Sequence, residues 1–342
     1  MRAVVLTGSG GPEKLVVEER PDPDVGPGEA RVAVAAAGVN FAELLARKGL
    51  YPDAPKPPCV LGYEFAGVVE SVGAEVDRIA TGDRVFGPTM FGGQAELVTV
   101  GADELFPVPD RFSLEQAAAV PVNYCTALAA LVEMGGLRAG QRVLIHAAGG
   151  GVGTAATQIA AEIGAEIFGT ASRSKHEAIR AQGVDHPIDY RNRDFAEEVH
   201  ELTAGEGVDL IIDAQGPTSF RKDYSILRPG GRLVMFGVSE LQQSRGLLSP
   251  RTLGALVRMP LATAPWWKSL NMITENKGVM GLNLLDWWKQ EGLGRLAARL
   301  NEYLDAGKLE PLISKSFPFD RAPEAHRYIE SRQNIGKVLL TP

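Results

Sequence analysis

Between Arg142 and Ala161 an apolar run, Val143-Leu144-Ile145-His146-Ala147, enters a glycine turn, and Thr154-Ala155-Ala156-Thr157 then opens a helix. Within the turn stands Ala148-x-Gly150-x-x-Gly153. A glycine in the middle place lets backbone come close to a pyrophosphate, and one in the last place lets a helix close on its strand. The amides of Gly151, Val152 and Gly153 at the helix start, with the helix dipole, attract phosphate charge. A tight strand-to-helix turn with no ligand would also use glycine. Here both flanks fit a dinucleotide fingerprint with alanine in the first place, and a second strand follows at the right distance.

That second strand ends Gly169-Thr170-Ala171-Ser172-Arg173-Ser174-Lys175. NAD binders usually place an acid here for the ribose 2′-hydroxyl. Ser172, Arg173 and Lys175 suit a 2′-phosphate instead, so the cofactor expected is NADPH/NADP. A solvated surface loop would use the same residue types.

Other chemistry is sparse. Cys59 and Cys125 are too few for a disulfide framework or a zinc cluster and read as reduced thiols of a cytoplasmic protein. The histidines His146, His176, His186, His200 and His326 show no metal-ligand spacing, and His146, ending an apolar strand, reads as a satisfied core histidine. A net charge of −7 without like-charge blocks gives no reason to expect nucleic acid. The residues Met1–Gly8 read as a first strand rather than as a long apolar signal region, and the apolar stretch from Val143 to Ala171 is broken by glycines and by Glu162 and Glu166, so no membrane span is expected.

Two textures position these residues. Up to Pro121, strands are expected at Arg2–Leu6, Lys14–Glu18, Ala30–Ala36, Glu64–Val72, Arg84–Gly87 and Gln94–Val100, with one helix at Phe41–Lys48. Beyond it, apolar runs at Val143–Ala147, Glu166–Thr170, Val208–Asp213 and Arg232–Phe236 alternate with helical stretches at Thr154–Ile163, Lys175–Ala181 and Phe195–Thr203. That alternation predicts a parallel sheet wrapped by helices. From Lys308 the chain returns to strands, Leu312–Phe317 and Lys337–Leu340, around a helix at Pro323–Arg332. The stretch Gly246–Trp288, rich in Leu and Met and holding all four tryptophans, reads as core or as a pocket rim.

The stretches Ala37-Gly38-Val39-Asn40-Phe41-Ala42-Glu43, Gly62-Tyr63-Glu64-Phe65-Ala66-Gly67, Gly82-Asp83-Arg84-Val85 and Gly336-Lys337-Val338-Leu339-Leu340 resemble the zinc-independent medium-chain dehydrogenase/reductases of the quinone oxidoreductase (zeta-crystallin-like) group, over nearly the full length. Pro121-Val122-Asn123-Tyr124, Thr126-Ala127 and the Trp266-Trp267 region look most like its vesicle amine transport protein branch. The resemblance implies an α/β architecture: a Rossmann doubly wound parallel sheet, 124–300, inserted in a GroES-like β-barrel domain formed by 1–123 and 301–342. It also implies a cleft where nicotinamide meets substrate, and a homodimer that uses the sheet edge near Gly278–Leu284. An ordinary buried edge strand would look the same there.

Zinc-dependent relatives carry Cys and His where this chain has Asn40 and Tyr63, so no metal is expected. Polarisation of a substrate oxygen then rests on hydrogen bonds, which favours quinones and other conjugated carbonyls that delocalise the incoming charge. Catalytic candidates are Asn40, which also suits a helix cap, Tyr51, which also suits a loop, and Tyr63 at the lost ligand position. Leu45 stands where several quinone reductases carry a second tyrosine, which leaves the site more apolar. Further cofactor contacts carried over are Tyr190, Phe236, Gly237, Asn283 and Asn334. The function expected is NADPH-dependent hydride transfer to a conjugated carbonyl. Alternatives are an enoyl-CoA or enoyl-thioester reductase, with Arg245, Arg251 and Arg258 as suppliers of charge for a CoA phosphate, and a non-catalytic crystallin-like or vesicle-associated NADPH-binding protein.

Overall fold

The computed structural model describes residues 1–239, 265–292 and 294–342. Arg245, Arg251, Arg258, residues 246–264 of the tryptophan-containing stretch and the side chains of Trp266 and Trp267 lie outside the described residues. The chain forms two compact units, Met1–Cys125 with Leu293–Pro342, and Thr126–Gly292. The returning segment therefore begins before 301, with the helix Gly294–Asp305.

The first unit opens with β1 (Arg2–Leu6), β2 (Leu15–Glu19), β3 (Glu29–Val39), α1 (Phe41–Arg47), β4 (Cys59–Val60), β5 (Glu64–Val72), β6 (Arg84–Pro88), β7 (Leu97–Gly101) and β8 (Phe106–Pro107). β3 outruns its expected length because it serves three neighbours, β5, β7 and the returning last strand. Two register shifts against β5, at Arg31/Val32 and Val34/Ala36, add the curvature a barrel needs. Its alternating residues Ala30, Val32 and Val34 face Phe65, Val69, Val85, Val98 and Leu105 in one core. Strand pairing at β7 begins at Leu97, later than expected, because Gln94 and Ala95 serve other partners: the Gln94 carbonyl accepts from the Val4 amide at 2.9 Å and Ala95 bridges Ala3.

Two helices that the sequence reading passed over follow, α2 (Leu114–Ala118) and α3 (Pro121–Leu128). The Ser113-x-x-Gln116 capping box that starts α2 was legible: Gln116 N–H donates to Ser113 Oγ at 3.1 Å, and Ser113 N–H to Gln116 Oε1 at 3.0 Å.

The second unit holds β9 (Arg142–Ile145), α4 (Gly151–Ile163), β10 (Glu166–Ala171), α5 (His176–Ala181), β11 (His186–Asp189), α6 (Phe195–Leu202), β12 (Val208–Asp213), α7 (Pro217–Ser225), β13 (Leu227–Met235) and β14 (Gly278–Gly281). The sheet runs β11-β10-β9-β12-β13-β14, and every pairing is parallel. β9 lies beside β12, so the winding direction reverses there and the strand ends open a crevice for a ligand. Leu144, Phe168, Ile188, Ile211 and Leu233 fill one face of this sheet. β11, missed in the sequence, carries Pro187 and only four residues. β13 starts five residues earlier than expected because Leu227 pairs with Val208 before a register shift.

In the return, β15 (Ile313–Pro318) and β16 (Lys337–Thr341) flank the helix Ala322–Glu330. Strand β16 joins β3, and Phe317, Phe319, Ala325 and Leu340 pack with Leu6, Leu44 and Leu61 in a second core.

Candidate functional site

In the second unit the chain leaves β9 and turns through Ala147–Gly150 into α4. A Cβ on Gly150 would approach only the Ala147 carbonyl oxygen, at 3.2 Å, which leaves the turn open outward. On Gly153 it would stand 2.3 Å from that oxygen and 2.7 Å from Ala148 Cα, so only glycine lets α4 lie against the strand end. Ala148 is buried and donates its N–H to the Thr170 carbonyl at 3.0 Å. The amides of Gly151, Val152 and Gly153, in the first turn of α4, have no partner within the helix.

At the ends of β10 and β11, Ala171 and Asp189 are register partners, so Ser172 and Tyr190 leave the sheet side by side. Ser172 precedes the short turn Arg173–Lys175. Arg173 is exposed and forms no ion pair among the described residues. Lys175 lies back over the fingerprint: a Cβ on Gly149 would be 3.0 Å from its Cδ. Ser172, Arg173, Lys175 and Tyr190 thus gather at one edge of the sheet beside the glycine turn. Open glycines, free amides and adjoining cations fit a dinucleotide phosphate and a second phosphate on its ribose.

The remaining cofactor candidates are more committed. Phe236 N–H donates to the Asp213 carbonyl at 2.9 Å, and Gly237 rests against Ala214. Asn283 Oδ1 caps the helix Leu284–Glu291, accepting from Leu285 N–H at 3.1 Å. In the other unit, Asn334 Nδ2 donates to the Gly336 carbonyl at 3.1 Å and shapes the entry to β16.

The first unit holds a buried polar cluster that the sequence reading did not assemble. Asn40 caps α1 by its backbone, whose N–H donates to Glu43 Oε1 at 3.1 Å. Its side chain is occupied at both ends, Nδ2 donating to Glu64 Oε1 at 2.9 Å and Oδ1 accepting from Lys337 Nζ at 2.6 Å. Lys337 also pairs with Glu64, Gln94 Nε2 donates to Glu43, and Val122 N–H donates to Glu64 Oε2 at 2.7 Å. Glu64 is therefore not the isolated carboxylate it looks in sequence. Burial pushes the Glu43 carboxyl up to about 8, against the opposing charge of Lys337. The signal available was a lysine in an otherwise apolar strand and the Asn40-x-x-Glu43 capping spacing.

This donor set does not fit zinc. An ammonium already sits among Asn40 and Glu64, and burial, with the Glu64 charge adding, pushes the Cys125 thiol up to about 12, so it offers no thiolate.

Tyr63 packs edge-on against Tyr51, ring centroids 6.4 Å apart, and against Phe91 at 4.8 Å. It is 6 % exposed, and among the described residues its hydroxyl meets only that of Tyr51, toward which it is the donor. Burial pushes both phenols upward, so each keeps its proton.

One histidine gains partners that spacing could not reveal. His146 lies buried beside Asp213 and Asp223. Its Nε2 is 2.8 Å from Asp223 Oδ1, and its Nδ1 is 2.6 Å from Gln215 Nε2 and 3.1 Å from Thr170 Oγ1. Asp213 accepts from Ser219 Oγ and from Gln215 N–H, the latter at 2.5 Å. With these atoms occupied, a metal would find only Asp223 Oδ2 open.

Residues 26–110 match the alcohol dehydrogenase GroES-like domain family, and residues 182–340 the zinc-binding dehydrogenase family. Synaptic vesicle membrane protein VAT-1 homolog of Homo sapiens is 38% identical over 353 residues, covering 100% of this chain and 86% of that protein. Quinone oxidoreductase of Escherichia coli, solved as a complex with NADPH, superposes with a TM-score of 0.86 at 29% identity, covering 100% of both chains. The CurK enoyl reductase structure gives 0.85 at 30% identity, covering 99% of this chain and 98% of that one.

Proposed function

The chain belongs to the zinc-independent medium-chain dehydrogenase/reductases, in the quinone oxidoreductase-like group and its VAT-1 branch, and on that premise we propose that it is an NADPH-dependent reductase of quinones or other conjugated carbonyls. The observation that carries the acceptor class is Tyr63, a buried, protonated phenol whose hydroxyl is met by the Tyr51 hydroxyl and by no other polar group among the described residues.

Bound NADPH supplies a hydride. The protein's own contribution begins with Gly150 and the α4 amides, which seat the pyrophosphate, and with Ser172, Arg173 and Lys175, which hold the 2′-phosphate. Tyr63, with Tyr51 against its ring, donates a hydrogen bond to the acceptor oxygen as negative charge develops there. One or two neutral donors stabilise an enolate or hydroquinone anion better than a localised alkoxide, because the delocalised charge asks less of them. Asn40 acts one step back, as the joint that ties Glu64 and Lys337 to the start of α1.

The test is NADPH consumption by the full chain with quinones, enones, enoyl-CoAs and saturated ketones, alongside Tyr63→Phe. Conjugated acceptors should turn over at least about tenfold faster than saturated ketones, and Tyr63→Phe should lower kcat by roughly 10- to 100-fold with little change in NADPH affinity. Enoyl-CoA as the sole good acceptor would move the assignment to an enoyl-thioester reductase, a reading that the CurK likeness favours. Tight NADPH binding without turnover of any acceptor would sink the enzymatic reading.

A further inference from the structure

His146 is the residue between β9 and the glycine turn, and its hydrogen bonds define its state. Thr170 Oγ1 accepts the Ala147 N–H at 3.1 Å, which leaves its own proton for His146 Nδ1, also at 3.1 Å. Gln215 Nε2 donates to the same nitrogen. With Nδ1 accepting, Nε2 carries the hydrogen, and it donates to Asp223 Oδ1. A continuous chain therefore runs from the first amide of the fingerprint turn through Thr170 and His146 to Asp223 on α7.

The far end of that chain is short of one hydrogen. Asp213, at the tip of β12, and Asp223 are both fully buried, and Asp223 Oδ2 has no partner. Each other carboxylate oxygen already accepts: Asp213 from Gln215 N–H and Ser219 Oγ, Asp223 from His146. The titratable groups that face Asp213 are His146 and Asp223. From α6, Phe195 packs edge-on to the imidazole with centroids 4.7 Å apart, and Lys222, over that ring, is paired with Asp194. Against the burial that would lower it, Asp223 and Asp213 hold the His146 imidazole above its ordinary value. With its Nδ1 taken by two donors, the further proton of the cluster falls between the carboxylates, which are tolerable side by side only if they share it.

We propose that His146 is a positioning residue for the dinucleotide, holding the fingerprint turn through Thr170, and that this hold is firm only while one proton is shared between Asp213 and Asp223. Loss of that proton sets two carboxylates against each other, one on a strand tip and one on a helix. Their repulsion moves Asp223, and His146 loses the acceptor that fixes its ring. Burial pushes the Asp213 carboxyl up to about 7, which puts the release near neutrality.

The inference rests on the dinucleotide reading above. Its test is calorimetric titration of the full chain with NADPH and with NADH from about pH 6 to about pH 9. Two cofactors are used because the 2′-phosphate itself titrates near about pH 6 and only NADPH carries it. Both affinities should weaken at least about fivefold across the upper half of that range, while Asp223→Asn, which carries its hydrogens at every pH, should bind with a flat profile. Thr170→Val should weaken both cofactors at all pH values by roughly tenfold, with Thr170→Ser restoring them. A flat profile in the parent chain, or Thr170→Val binding as the parent does, would overturn the hold while leaving the function standing. Failure of either dinucleotide to bind at any pH removes both. Should Asp223→Asn not fold, the parent profile and the Thr170 pair decide alone.

Discussion

At the scale of single residues, the proposed cofactor preference rests on Arg173 and Lys175. An ion pair at an exposed surface is worth little, but two cations converging on a phosphate with nearly two charges give charge-assisted hydrogen bonds that NADH cannot use. Arg173→Ala with Lys175→Ala should weaken NADPH binding by roughly 100-fold and NADH binding by less than about threefold, read as two dissociation constants. Equal losses would defeat the assignment. These residues were legible in sequence because the motif fixes their distance from the glycines. Glu43, Gln94 and Lys337 were not, because they come from α1, from the residues ahead of β7 and from β16, and only the pairing of β16, β5 and β7 with β3 brings them together.

At the scale of elements, the fingerprint strand and helix were readable because buried parallel strands are short apolar runs and Gly153 admits no side chain. Boundaries moved where neighbours intervened, as with β3, whose length is set by its partners rather than its own residues. Among the described residues β14 ends the sheet opposite β11 and is bonded to β13 alone. The helix leading into it, Pro265–Glu275, shows Leu270 at 66% and Ile273 at 71% exposure. We propose that this edge and helix meet a second copy, since a strand edge without a partner among the described residues, next to exposed apolar side chains, is a pairing surface. Sedimentation should then give twice the 36.5 kDa chain mass, and Leu270→Glu with Ile273→Glu should shift it toward the monomer. A parent chain that sediments as a monomer at every concentration would end that proposal.

At the scale of the whole molecule, buried ionisable groups set how stability follows pH, and they act with opposite signs. Burial, with the charge of Arg47 adding, holds the His326 imidazole at about 3, against 6.5 when free. Its Nδ1 accepts from Arg47 Nε at 3.3 Å, which ties α1 to the helix Ala322–Glu330. Below its free value the unfolded chain binds a proton that the folded chain refuses, so stability falls as pH drops from 6.5 toward 3. Glu43 acts the other way: its carboxyl rises from 4.5 to about 8, so the folded chain holds a proton that the unfolded chain has released. Its contribution is full below 4.5 and is lost as pH climbs through about 8. Asp213, raised from 3.8 to about 7, adds to that alkaline loss. Thermal melting should therefore be highest in mildly acidic buffer and fall on both sides. His326→Gln keeps an acceptor for Arg47 without the titration and should recover on the order of 5 °C of the acid-side loss, leaving the alkaline side unchanged. Glu43→Gln should do the converse, reducing the alkaline loss to the share of Asp213 and leaving the acid side unchanged. A melting profile that rises steadily from mildly acidic to alkaline pH would mean that these groups do not hold the protons their burial demands.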